Sequence, residues 1–175
     1  MYFANFPLIP YDSVGNGDLK LVTNLLKRVA VRQNVKTNVL LYDTYDVKEG
    51  ETPEMLAHKL YDDVNLHWVV LFVNGITDRY HQWPLSSSQF LAFLNDKYSN
   101  PDATHHYEIT QTSGDTSVVI DVGADNTDHA GATQITNREY EEKRQDTLRK
   151  IRLLDPAYVE QFVEEFENLM DESVL

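Results

Sequence analysis

His105 and His106 stand side by side with Glu108 two residues on, in the stretch HHYEI. Imidazole and carboxylate groups are ordinary zinc ligands, so metal chemistry would be sought here first. The spacing argues against it. Neighbouring side chains on a strand point to opposite faces, so one histidine packs inward while the other meets solvent, and the two do not share an ion. The chain has no cysteine, which removes thiolate metal sites, disulfides and a cysteine nucleophile. Glu49, Glu51 and Glu54 gather where a turn meets a helix start, but glycosidic acid and base groups need a set separation across a cleft, which an exposed turn does not supply. The serines at 86 to 88 lack the G-x-S-x-G frame, and GNG at 15 to 17 lacks the remaining glycine and preceding strand of a dinucleotide loop. Arg144, Arg149, Lys150 and Arg152 interleave with Glu139, Glu141, Glu142 and Asp146, as side-chain pairs along a helix do. No catalytic residue, metal site or cofactor is expected, and the protein reads as a non-enzyme.

The wider composition points the same way. The 28 acidic against 15 basic residues give a formal net charge of -13, which repels phosphate backbones and anionic membranes. Neither nucleic acid nor membrane is an expected partner. The longest apolar run, WVVLFV at 68 to 73, falls far short of the roughly 20 residues that span a bilayer. The opening MYFANFPLIPYDS has no basic n-region and is broken by Pro7 and Pro10, so no cleaved export signal is expected. A soluble protein of a reducing compartment follows. Its charge is uneven: every formal charge from Leu19 to Leu41 is positive, and Pro156 to Leu175 carries six acids without a Lys or Arg.

The elements that must position these residues read as α+β. An extended arm occupies residues 1–18, and its Phe3, Phe6, Leu8 and Tyr11 cannot form a core alone; they are the expected partner-binding anchors. Residues 19–44 hold a helix from Leu19 to Arg28, on the spacing of Leu19, Val22, Leu25 and Leu26, and then a strand within 38–47. Residues 45–85 form the core unit. Thr52 is a natural N-cap with Pro53 at the first helical position, and Leu56, Ala57, Leu60 and Tyr61 share one helix face. A second helix carries Trp68 and Phe72, and Asn74-Gly75 stops it. Residues 86–123 give a helix capped near Ser88 and a β-hairpin pairing Tyr107 and Ile109 with Val118, Ile120 and Val122 through Ser113-Gly114-Asp115. Residues 124–134 are a loop. Residues 135–175 are helical, the first helix running from an N-cap at Asn137 through Leu154 and the second starting after Asp155-Pro156.

The stretch YDVKEGETPEMLAHKLYDDVNLHWVVLFVNGI, Tyr45 to Ile76, resembles the lysin-motif (LysM) domain in its order of strand, helix, helix, strand. Gly75-Ile76 leads towards the second strand. Together with LKRVAVRQ upstream, HQWPLSSSQF and HHYEI downstream, and YEEKRQDTLRKIRLLDPAYVEQFVEEF, the chain is similar over Val22 to Met170 to the LysM-containing baseplate wedge subunit of contractile-tailed, T-even-type bacteriophages. That resemblance implies a structural protein of the virion tail baseplate, put together in the host cytoplasm and present in multiple copies in a sixfold assembly. It would bind other wedge and hub-proximal tail proteins and help to join wedges around the hub. Gly50, Thr52, Leu60, Tyr61, Trp68, Asn74 and Trp83 match as fold-determining positions, together with Leu56, Ala57 and Pro84. The alternative from another class is a LysM module that binds peptidoglycan or chitin.

Overall fold

A computed structural model describes residues 6–26, 29–30, 41–114, 117–125 and 128–172. They divide into two compact units, one formed by Met1–Val47, Glu51–Gln82 and Ile151–Leu175, the other by Lys48–Gly50 and Trp83–Lys150.

The first unit opens with an antiparallel ribbon of β1 (Leu8–Tyr11) and β2 (Lys20–Thr23), in register Leu8 with Thr23 through Tyr11 with Lys20. The helix expected over 19–28 is therefore a strand at 20–23, followed by a turn at Leu25 and Leu26; residues 27–28 lie outside the described residues. A short helix is marginal without a surface for its apolar stripe, whereas pairing with β1 satisfies the same backbone at once. β3 (Tyr42–Asp46) leads through Gly50, at φ 72, into α1 (Pro53–Tyr61). The Thr52 hydroxyl accepts the Met55 amide at 3.3 Å, and Asp62 in the left-handed region ends the helix. One turn of 3₁₀ helix, Val64–Leu66, precedes α2 (His67–Val73), and α3 (Arg79–Gln82) is a single turn. No strand follows Gly75 directly; the chain continues into α3.

The second unit holds α4 (Ser87–Lys97), β4 (Thr104–Thr110), β5 (Val119–Asp121), β6 (Thr133–Thr136) and α5 (Asn137–Arg149). β4 lies between β5 and β6, antiparallel to both, so the expected hairpin partners do pair. Asp115 of its turn lies outside the described residues. The loop expected over 124–134 ends early, because β6 begins at Thr133. Ser86, within the serine cluster expected to cap it, closes α4 in a reciprocal box with Gln89, and Thr136, not Asn137, does so for α5 with Glu139.

The chain then returns to the first unit. β7 (Lys150–Leu154), read from sequence as the end of a helix, is a strand that pairs with β3. Ile151, Leu153 and Leu154 are buried while Lys150 and Arg152 are exposed, a near-alternating pattern that a strand over a core satisfies and one more helical turn would not. A 3₁₀ turn at Pro156–Tyr158 starts α6 (Val159–Glu172). Phe6, Tyr42, Trp68, Val69, Val73, Leu154, Val159, Phe166 and Met170 form one buried cluster. Trp68 and Phe166 sit 4.7 Å apart between ring centroids, and Phe72 meets Phe166 edge-on at 5.5 Å.

Candidate functional site

Among the described residues, the β1–β2 ribbon, its loop and the turn after it carry many exposed large apolar side chains. Leu8, Tyr11, Val14, Leu19, Leu21, Val22, Leu25 and Leu26 are eight of the eighteen exposed large hydrophobic residues among those described. Leu21 is 72% exposed and Leu26 85%, and no third strand joins β1 or β2 among the described residues. A two-stranded ribbon is marginal by itself, so its ends are fastened. At the open end, the Asn24 amide donates to the Pro7 carbonyl at 2.8 Å, and the adjoining Phe6 ring is buried in the core. At the turn, the Asp12 carboxylate accepts the amides of Val14, Gly15, Asn16 and Gly17 at 2.6 to 3.3 Å. Those amides, Gly17 first, hold the Asp12 carboxyl below its usual range. Gly15 and Gly17 sit at φ 76 and 83, where a side chain would be strained.

The polar cluster in the second unit is built differently from its expected form. An irregularity in the β4–β6 register between Thr104 and His106 turns the two histidines together, with His105 Nδ1 and His106 Nδ1 2.8 Å apart. His105 stacks on Tyr140 at 3.9 Å. His106 Nε2 meets Glu108 at 3.1 Å, and Lys143 closes on the same carboxylate at 2.7 Å, holding the Glu108 carboxyl below its usual value. A carboxylate only accepts, so His106 Nε2 donates and, in the neutral pair, its Nδ1 accepts from His105. The chain of contacts runs from Tyr140 through His105, His106 and Glu108 to Lys143, which makes the cluster a fastening of β4 to α5. Among the described residues no group of three or more His, Asp or Glu is arranged to hold a metal ion.

A small groove of about 150 Å³ lies in the same unit, lined by Leu85, Ser87, Phe90, Glu142, Gln145, Asp146 and Arg149. Its rim is already paired: Glu49 accepts the Ser87 amide at 2.6 Å and lies 3.4 Å from Arg149, and Gln145 accepts the Leu85 amide at 2.8 Å. The Ser87 amide is the main cause that holds the Glu49 carboxyl low. No helix among the described residues is long and apolar enough to cross a membrane.

Compared with known families, residues 1–168 match the model described as Base plate wedge protein 53. The chain belongs to that phage baseplate family. No curated protein matches it. Membership makes it a structural protein of the phage tail baseplate wedge. Of the residues singled out as partner-binding, Phe3 lies outside the described residues, Phe6 is 8% exposed within the core, and Leu8 and Tyr11 stand exposed on β1. Of the positions singled out for the fold, Thr52 caps α1 and Trp68 and Trp83 are buried. Leu60 and Tyr61 are half-buried, and the Tyr61 hydroxyl donates to the Leu154 carbonyl at 3.0 Å, with burial pushing its pKa up to about 12. The helical spacing of Leu19, Val22, Leu25 and Leu26 hid the ribbon, and Leu21 falls outside that helical face. The available signal was LIPY and KLVT on either side of a Gly-rich loop, which is hairpin spacing.

Proposed function

We propose that this chain binds other wedge proteins during baseplate assembly, and helps to join wedges around the hub, with the β1–β2 ribbon as its principal docking surface. The observation that carries this is the ribbon's uncovered apolar surface, anchored at Phe6 and shaped by Asp12. Large exposed apolar patches on a soluble chain mark interaction sites, and interface cores gather aromatic and aliphatic anchors away from charge. Its partners on this reading are proteins, not nucleic acid or membrane, and its place is the virion tail after assembly in the host cytoplasm. The test mixes the chain with the other wedge proteins of the same genome and follows complex mass. Leu21→Asp with Leu26→Asp should leave the thermal transition in place, because both side chains are exposed, and should lower wedge incorporation at least about tenfold. Normal incorporation of that variant, or failure of the unaltered chain to enter any wedge complex while it pulls down with peptidoglycan, would overturn the proposal.

A further inference from the structure

Among the described residues a second strand is uncovered. β5 is an outer strand of its sheet, and Val118, Val119 and Ile120 are all exposed. The Gln111 amide donates to the Val118 carbonyl at 3.0 Å, so pairing with β4 continues one residue beyond β5. Sheet edges are usually protected by charge, bulges or a covering segment, because bare backbone groups recruit a further strand. β2 presents the matching problem in the first unit, with one edge unpaired among the described residues and with Leu21 and Val22 exposed.

We infer that the outer edge of β2 in one copy adds to β5 of a second copy, as an antiparallel strand. Residues 20 to 23 read Lys-Leu-Val-Thr, and residues 121 back to 118 read Asp-Ile-Val-Val. Laid antiparallel they place Lys20 opposite Asp121, Leu21 opposite Ile120, Val22 opposite Val119 and Thr23 opposite Val118. The apolar pairs match, and so does the one charged pair. Within its own sheet Asp121 stands directly across from Glu108, whose charge Lys143 already offsets, and among the described residues no cation pairs with Asp121, which accepts the Gly123 amide at 2.8 Å. Lys20 has no acidic partner among the described residues. A lysine arriving on the open side of β5 pairs with Asp121 and is itself neutralised. The contact joins different surfaces on the two copies, so it repeats head to tail and builds a ring or filament unless two copies exchange strands reciprocally.

This rests on the ribbon being an interface, and the test separates the two readings. Sedimentation equilibrium of the full chain should show concentration-dependent self-association. Lys20→Asp should weaken it about fivefold, on the scale of a cross-strand charge pair turned repulsive. Asp121→Lys is the sharper variant: it reduces the net negative charge, so general repulsion between copies falls, yet the local pairing requires weaker association. The double exchange should restore association to within about twofold. A monomer at every concentration, stronger association of Asp121→Lys, or a double exchange without rescue overturns the inference. Loss of wedge incorporation in the Leu21 and Leu26 variant alongside any of those results would leave the docking function standing.

Discussion

Asn74 shows how much one polar side chain can organise. It follows α2, donates to the Val70 carbonyl at 2.8 Å and the Arg152 carbonyl at 2.7 Å, and accepts the Arg152 amide at 2.8 Å. The two bonds with Arg152 reproduce what a neighbouring strand would offer β7. Asn74→Ala should cost about 1 kcal/mol, because it removes the two bonds to the Arg152 backbone and the one to Val70 at a site that solvent reaches in part; urea unfolding followed by tryptophan fluorescence measures it, and a loss under about 0.5 kcal/mol would show that water replaces the amide. Glu141 carries the second test. It is fully buried, which raises its pKa, but Lys97 at 2.5 Å and the Tyr98 hydroxyl at 2.9 Å outweigh burial and leave it below the ordinary 4.5. A carboxyl depressed in the folded state takes up protons more readily when unfolded, so its stabilisation is complete above the ordinary value and is lost as pH falls through the depressed one. Glu141→Gln should therefore lower stability at neutral pH and flatten its decline in acid. A parallel acid decline in the variant would place the titration elsewhere.

At the scale of elements, β7 closes the first unit from a great distance along the chain. It supplies buried Ile151, Leu153 and Leu154, pairs with β3, and leads to α6, whose Phe166 packs on Trp68. A chain ending after Lys150 should lose the cooperative unfolding of the first unit and expose Trp68, seen as a red shift and loss of near-ultraviolet dichroism. A retained native signal would mean that β3, α1 and α2 hold without it. The same distance explains what could be read in advance. Thr52, Pro53 and the apolar faces of α1 and α2 are local signals, so the strand and paired helices were legible. The strand that completes them was not, since KIRLL continues a helical pattern and only a β3 some hundred residues away makes its alternation matter. The ribbon was missed for the opposite reason. Leu19 to Leu26 fits helical spacing, and the competing strand signal depends on β1 being near enough to pair. The histidine pair was legible in part: His106 packs inward as one of the two should, but His105 is half-buried against it, beside a register irregularity that no spacing rule reveals.

For the whole molecule, the decisive quantity is a net charge of -13 against docking surfaces that carry almost none of it. The ribbon contributes Asp12, Asp18 and Lys20, with Asp12 held by its loop amides, and the β5 edge contributes Asp121. Two copies therefore repel through their full charge at long range and attract through apolar strands at short range. Raising salt from about 0.01 M to about 0.1 M shortens the screening length from about 30 Å to about 10 Å. That suppresses the general repulsion far more than a touching Lys20 and Asp121 pair, whose whole contribution is about 0.2 to 1 kcal/mol. Self-association of the unaltered chain should accordingly strengthen over this range, and the double exchange, which leaves the net charge unchanged, should follow the same curve. Lys20→Asp, more negative overall, should gain more from added salt while remaining the weaker associator at every point. Association that falls steadily with salt would mean that opposite charges hold the copies together, and the basic stretch from Leu19 to Leu41 against the acidic C-terminal helix would then replace the paired strands as the contact to test.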